Sequence, residues 1–364
     1  MSFIPVPKLF TPYRIRGLEL VNKVVVAPMC TWFADPETNM INDAHLVHYG
    51  SLSLGGAGLL MFEGTAVEKR GCIAAGDAGL WNDEQAHALT RLTSFVHHQQ
   101  SAKIGIQLAH AGRKALVRDV SVETAAPSSA ISSSAVAYDV GWRTPVAMTK
   151  ADIVQITETF AAAARRAVVA GFDWVEIHNA HGYLLNQFTS PLVNCRTDEY
   201  GGSLENRCRL SIEVVQAVRR AIPESMPLSV RISCVDWVEG GWQMEDSVYL
   251  ARSLCAAGVD LIHVSSGGVS PGQVIVHSWD YQLVLSAQLR AAASVKTIAV
   301  GGIANAEEAN DVLVNEDADL VAVGREHLKD PYWTRHQAAV LGLPHWFPPY
   351  QALAYRKRAR VRRE

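Results

Sequence analysis

Apolar residues along this chain gather in short, dense runs. Before most of them lies a longer stretch in which apolar positions recur every three or four residues. The passage between the two is nearly constant: the longer stretch closes on Gly or Ala, a short polar bridge follows, and a β-branched run begins. Gly55-Gly56-Ala57-Gly58-Leu59-Leu60-Met61-Phe62, Ala170-Gly171-Phe172-Asp173-Trp174-Val175-Glu176-Ile177, Ala257-Gly258-Val259-Asp260-Leu261-Ile262-His263-Val264 and Asp317-Ala318-Asp319-Leu320-Val321-Ala322-Val323 are the examples. Glycine just past a helix takes the left-handed conformation cheaply and stops it. An apolar run without alternation suits a strand buried on both faces. Strands are predicted over 23–27, 59–62, 103–108, 174–177, 228–232, 261–264, 297–300 and 320–323. Helices are predicted over 84–98, 151–169, 204–221, 245–257, 281–292, 305–315 and 331–341. The 151–169 segment carries Asp152 and Glu158 early and Arg165-Arg166 late, as the helix dipole favours. Eight strands alternating with helices predict an α/β fold in which a parallel sheet closes into a (β/α)8 barrel.

The longest stretch without either pattern is 112–149, rich in Ser, Ala, Pro and Gly, and is expected to be a functional loop or lid. No shift in composition marks a second domain, so residues 1–364 are expected to form a single barrel domain, with 342–364 as a tail. At 49% hydrophobic and 19% charged, the chain is too apolar for disorder. A formal net charge of −3 gives no basis for general nucleic-acid binding. The basic run from Arg356 to Arg363 reads as a solvated tail, with a phosphate or subunit contact as the other reading. The cysteines Cys30, Cys72, Cys195, Cys208, Cys234 and Cys255 form no C-x-x-C pair, which predicts free thiols in a reducing compartment. No apolar run is long enough to span a bilayer and residues 1–8 lack signal-peptide character, so a soluble cytoplasmic protein is expected.

Chemistry in such a barrel sits at the C-terminal ends of the strands, and the unusual residues fall there. Pro28-Met29-Cys30-Thr31-Trp32 follows the first strand, Gln107 to Lys114 spans the end of the third, and His178-Asn179-Ala180-His181-Gly182-Tyr183 follows the fourth. Arg231 lies near the end of the fifth, Gly301-Gly302 close the seventh, and Gly324-Arg325 close the eighth. Glycines after the last two strands let backbone N–H groups approach a phosphate, and Arg325 adds a guanidinium fork. A buried Arg231 needs a negative group opposite it, which a flavin supplies on reduction. Gln107 can donate to and accept from a pyrimidine edge. Cys30 reads either as a neighbour of the flavin N5 or as a small apolar filler. His178 and His181 could bind zinc, could be satisfied core histidines, or could donate to a substrate oxygen with Tyr183 as proton source. No dinucleotide fingerprint is present, so a nicotinamide cofactor is expected to visit an open site.

Ala27-Pro28-Met29-Cys30, the Gln107 to Lys114 segment, the His178 to Tyr183 segment and Asn194 to Arg207 together resemble the Old Yellow Enzyme family of FMN-dependent ene-reductases, in its thermophilic-like and xenobiotic-reductase branch. The resemblance runs from about residue 9 to 341. It implies that Pro28, Met29, Cys30, Gly64, Gln107, Arg231, Gly301, Gly302, Gly324 and Arg325 bind FMN. It implies that His178 and His181 hold the substrate oxygen, that Tyr183 protonates the α-carbon, and that NADPH or NADH is the reductant. A homo-oligomer, dimer or tetramer, is implied in the same way. Trp32 stands where the branch has a pocket-lining tyrosine, and Gly64 where it has an alanine. Tyr350 and Arg356 are candidates for an insertion into a neighbouring subunit. The competing readings are an FMN-dependent oxidative dehydrogenase or demethylase, a metal-dependent hydrolase using His178 and His181, and a non-catalytic flavin module relying on Cys30.

Overall fold

The structure is a computed structural model and describes residues 6–99, 102–115, 130–275 and 278–343. Tyr350, Arg356, the basic run and residues 116–129 of the long loop lie outside the described residues. Eight parallel strands close into a barrel: Val24–Val26, Leu59–Ala66, Lys103–Ala109, Trp174–Asn179, Leu228–Ser233, Leu261–Ser265, Thr297–Val300 and Leu320–Val323. Closure is made by the eighth strand pairing with the first, Val321 to Val24 and Val323 to Val26. All eight predicted strands are present. The second runs four residues further than predicted, because a register shift between Phe62 and Gly64 lets it continue past a bulge at Glu63.

Side chains alternate between two faces, and the alternation sorts the apolar residues into two cores. One lies between strands and helices. A smaller one fills the lumen, with Val25, Leu59, Met61, Trp174, Leu261, Ile298 and Leu320. Ile15 and Leu20 join this inner cluster from an antiparallel hairpin, Tyr13–Ile15 with Leu18–Leu20, which stops the N-terminal mouth. The Trp174 indole donates to Ser229 Oγ at 2.8 Å, so its polar edge is satisfied inside the lumen.

The predicted helices appear within a few residues of their expected bounds, among them Lys150–Val169, where Thr149 and Asp152 form a reciprocal cap. Among the described residues three α-helices stand outside the predicted set. Asp43–Leu54 buries His45, Tyr49, Gly50, Leu52 and Ser53, so polar and small residues break up the apolar stripe that marks a helix. Leu184–Thr189 is buried at every position and Arg325–Lys329 is a single short turn; neither is long enough to show a period.

Candidate functional site

Continuing the inward alternation one step above the apolar floor gives Gln107, Glu176, Arg231 and His263 on the third to sixth strands. Each is buried. Glu176 is the centre of this polar belt. Its carboxylate accepts from Gln107 Nε2 at 2.8 Å and from Ser229 Oγ at 2.9 Å, and lies 3.0 Å from His263 Nδ1. Burial alone would raise its pKa, but His263, Arg231 and Gln107 together hold it below the ordinary carboxylate range. Glu176 and His263 were not singled out from the sequence; the period of two along a strand already predicted was the available signal.

The Arg231 guanidinium makes no hydrogen bond to a described residue, and its Nε is buried without a partner. Burial depresses its pKa, and the Glu176 charge opposes that. Because Gln107 spends its amide N–H on Glu176, its carbonyl oxygen faces the other way. A Cβ on Gly64 would lie 3.3 Å from that oxygen and 3.6 Å from Cys30 Sγ, so Gln107, Gly64 and Cys30 border one space.

The end of the fourth strand brings the three residues singled out there together. Ring centroids are 5.0 Å apart for His178 and His181, 4.9 Å for His178 and Tyr183, and 6.4 Å for His181 and Tyr183. The turn needs His181 at φ 58° and Gly182 at φ 70°. A Cβ on Gly182 would sit 2.3 Å from the Gly268 carbonyl oxygen, so glycine is required there. The Ala180 N–H donates to His178 Nδ1 at 3.2 Å, which places the His178 proton on Nε2. His181 Nε2 lies 2.7 Å from Ser265 Oγ, so its donor is shared with a hydroxyl. Burial, then the Arg231 charge, lowers His178 to about 3 and His181 well below its ordinary value; both rings are neutral near pH 7.

Lys114 and Arg113, quoted in the sequence motif without a role, tie the surrounding loops together. Lys114 Nζ donates to the carbonyl oxygens of His181 and Gly268, each at 2.9 Å, and sits 5.2 Å above the Tyr183 ring. Arg113 donates to the carbonyls of Ala137 and Val269, at 3.0 and 2.6 Å, pinning part of the long loop beside the sixth strand's end.

Across the mouth, Glu63 holds the loop after the first strand by accepting from the Thr31 N–H at 2.7 Å and the Thr31 hydroxyl at 2.8 Å. Burial lifts its carboxyl to about 7. Burial, then Asp77 and Glu63, raises the Cys30 thiol, so it stays protonated. Trp32 adopts φ 57° and is 43% exposed, which places it at the rim rather than in the core. Gly64→Ala is expected to keep the unfolding midpoint within a few degrees of wild type. A backbone gain of about 0.5–1 kcal/mol is offset by crowding against Gln107. A loss above about 10 °C in thermal unfolding would show instead that the site needs glycine for packing.

Gly301 and Gly302 turn with φ 115° and 74°. Gly324 caps the helix Arg325–Lys329, and a Cβ on it would lie 3.3 Å from Met29 Sδ, which joins the eighth strand's end to the first loop. Among the described residues no group of three His, Cys, Asp or Glu side chains is arranged to hold a metal ion.

The lumen therefore offers an unpaired guanidinium, an outward carbonyl oxygen on Gln107 and a buried His263 Nε2 without a partner. A guanidinium matches the carbonyl and N1 edge of an isoalloxazine, and a carbonyl oxygen matches its imide N–H, so these groups fit a flavin. Barrel, belt and rim define a flavin-dependent oxidoreductase. A model of the NADH:flavin oxidoreductase / NADH oxidase family matches residues 8–341. The chain belongs to that family, the Old Yellow Enzyme family, with FMN as cofactor and NADPH or NADH as reductant. It is 45% identical over 334 residues to an NADPH dehydrogenase of Geobacillus sp. (strain WCH70), covering 92% of this chain and 94% of that one. It resembles the structure of morphinone reductase with a TM-score of 0.77 at 27% identity, covering 93% of this chain and 91% of that one. A 2-naphthoyl-CoA reductase shares the fold, with a TM-score of 0.84 at 23% identity; the match covers 93% of this chain and 53% of that longer one. No helix among the described residues is long and apolar enough to cross a membrane.

Proposed function

We propose that the chain is an ene-reductase acting on activated alkenes such as enones or nitroalkenes. The observation that carries this reading is the convergence of His178, His181 and Tyr183 beside the flavin-matching belt, with the His178 proton fixed on Nε2. Bound FMN supplies the hydride, taken from NADPH or NADH and passed to the substrate β-carbon. Pro28, Met29, Cys30, Gly64, Gln107 and Arg231 border the ring system, while Gly301, Gly302, Gly324 and Arg325 receive the phosphate. His178 donates Nε2–H to the substrate oxygen, and His181 helps once the Ser265 hydroxyl yields. Both stabilise the negative charge that grows there as the β-carbon gains hydride. Tyr183 gives its hydroxyl proton to the α-carbon, and Trp32 covers the mouth of the pocket. The six cysteines are all free, which supports a reducing cytoplasm.

The test is anaerobic. NADPH should bleach the visible flavin bands and cyclohexenone should then restore them; bleached protein that cyclohexenone leaves unchanged would end the reading. An oxidative dehydrogenase would instead be bleached by its own substrate without NADPH.

Because burial keeps both imidazoles neutral, affinity for cyclohexenone is expected to be flat between pH 5 and 8. A group lowered to about 3 has lost its proton before that window opens. A binding step centred near pH 6.5 would show that a charged imidazole takes part.

A further inference from the structure

Glu176 is fully buried in the barrel lumen. Every hydrogen-bonding neighbour donates to it: Gln107 from the third strand, Ser229 from the fifth and His263 from the sixth. It is also the buried negative charge nearest in sequence register to Arg231, whose β-strand partners are His178 and His263. Glu176 and Arg231 do not form an ion pair within 4.0 Å among the described residues, so the guanidinium's donors stay available. The belt is therefore electrically neutral, with charge separated inside it.

We propose that Glu176 is a positioning residue that sets the balance between oxidised and reduced FMN, by offsetting the Arg231 charge and by fixing which end of the Gln107 amide faces the ring. A lone buried guanidinium would leave the empty barrel with an uncompensated charge, and it would bind reduced FMN, which carries a negative charge, far more tightly than the oxidised form. The Glu176 charge supplies the compensation in the empty barrel. It then opposes the negative charge that arrives on reduction, so the reduced cofactor stays ready to give up its hydride. His263 meets the Glu176 carboxylate through Nδ1 at 3.0 Å, and burial lowers the pKa of its ring. The inference rests on FMN binding and not on the identity of the substrate, so failure of the cyclohexenone test leaves it intact.

The experiment compares wild type, Glu176→Gln and Glu176→Asp as holoenzymes, by dye-equilibrated midpoint potential and by FMN dissociation constants in both oxidation states. In Glu176→Gln the ratio of affinities should move toward reduced FMN by about tenfold, the effect of one buried charge near the ring, and the potential should rise by about 30 mV for this two-electron couple. Glu176→Asp keeps the charge and should stay near wild type. Equal weakening of both oxidation states, with an unchanged potential, would reduce Glu176 to a packing residue and overturn the proposal. Should Glu176→Gln fail to fold, the wild-type potential followed between pH 6 and 8 decides. Uptake of one proton per two electrons is expected if Glu176 stays ionised in both states. Uptake of two would mean that the added charge is neutralised, which overturns it.

Discussion

Tyr183→Phe is expected to slow reoxidation of the reduced enzyme by cyclohexenone by about 10²–10³-fold, while bleaching by NADPH stays within about twofold. The asymmetry follows from what each half-reaction asks of the protein. Hydride arriving from a nicotinamide requires no proton from the chain. Hydride leaving for a β-carbon leaves an electron pair at the α-carbon, and that pair needs a proton from a positioned donor. The phenol stands with its ring 4.9 Å from His178, and the Lys114 ammonium lies 5.2 Å from the ring centre. A cation placed there stabilises the phenolate that proton donation creates. Phenylalanine keeps the ring and removes the hydroxyl that carries the proton. Stopped-flow traces of the two half-reactions give the answer separately. Equal slowing of both would show that Tyr183 shapes the pocket and is not the acid.

The barrel was legible because its signals are local. A glycine after Val169-Ala170 and another after Ala256-Ala257 end helices whatever lies around them, and the dense runs that follow have no polar face to leave in water. Strand ends were legible for the same reason, which located His178, His181 and Tyr183. The belt was harder to read. Glu176 sits within Trp174-Val175-Glu176-Ile177, where a charged residue in an apolar run looks like an interruption. It is tolerated there only because Gln107, Ser229 and His263 arrive from three other strands, and such partners are far away in the chain. The helix Asp43–Leu54 escaped notice for a related reason. Its buried face carries His45 and Tyr49 beside Leu52, with the Tyr49 hydroxyl donating to Glu63 at 3.1 Å, so much of its inward signal is polar. The bulge at Glu63 likewise has no local mark beyond the glycine that follows it.

Gly302→Ala is expected to yield protein nearly free of FMN, with affinity for added FMN lowered by about 10²-fold or more, whereas Gly324→Ala should bind within about threefold of wild type. Both glycines end barrel strands, but their surroundings differ. Gly302 has φ 74°, where a side chain costs about 1–3 kcal/mol, and its Cβ would stand 1.6 Å from the Trp279 carbonyl oxygen. That oxygen belongs to backbone leading directly into the helix Tyr281–Ala293. The start of this helix is held by Gln282, buried and donating to the Val300 carbonyl at 2.9 Å. The loop must therefore move, and with it the N–H groups assigned to the phosphate. At Gly324 the nearest neighbour is Met29 Sδ at 3.3 Å, the end of a flexible side chain that can turn aside. Since the Gly302 clash is present without cofactor, the apoprotein should also unfold at a lower temperature in this variant alone. Fluorescence titration with FMN measures the affinities. A Gly302→Ala protein that binds FMN as wild type does would remove the seventh strand's end from the phosphate site.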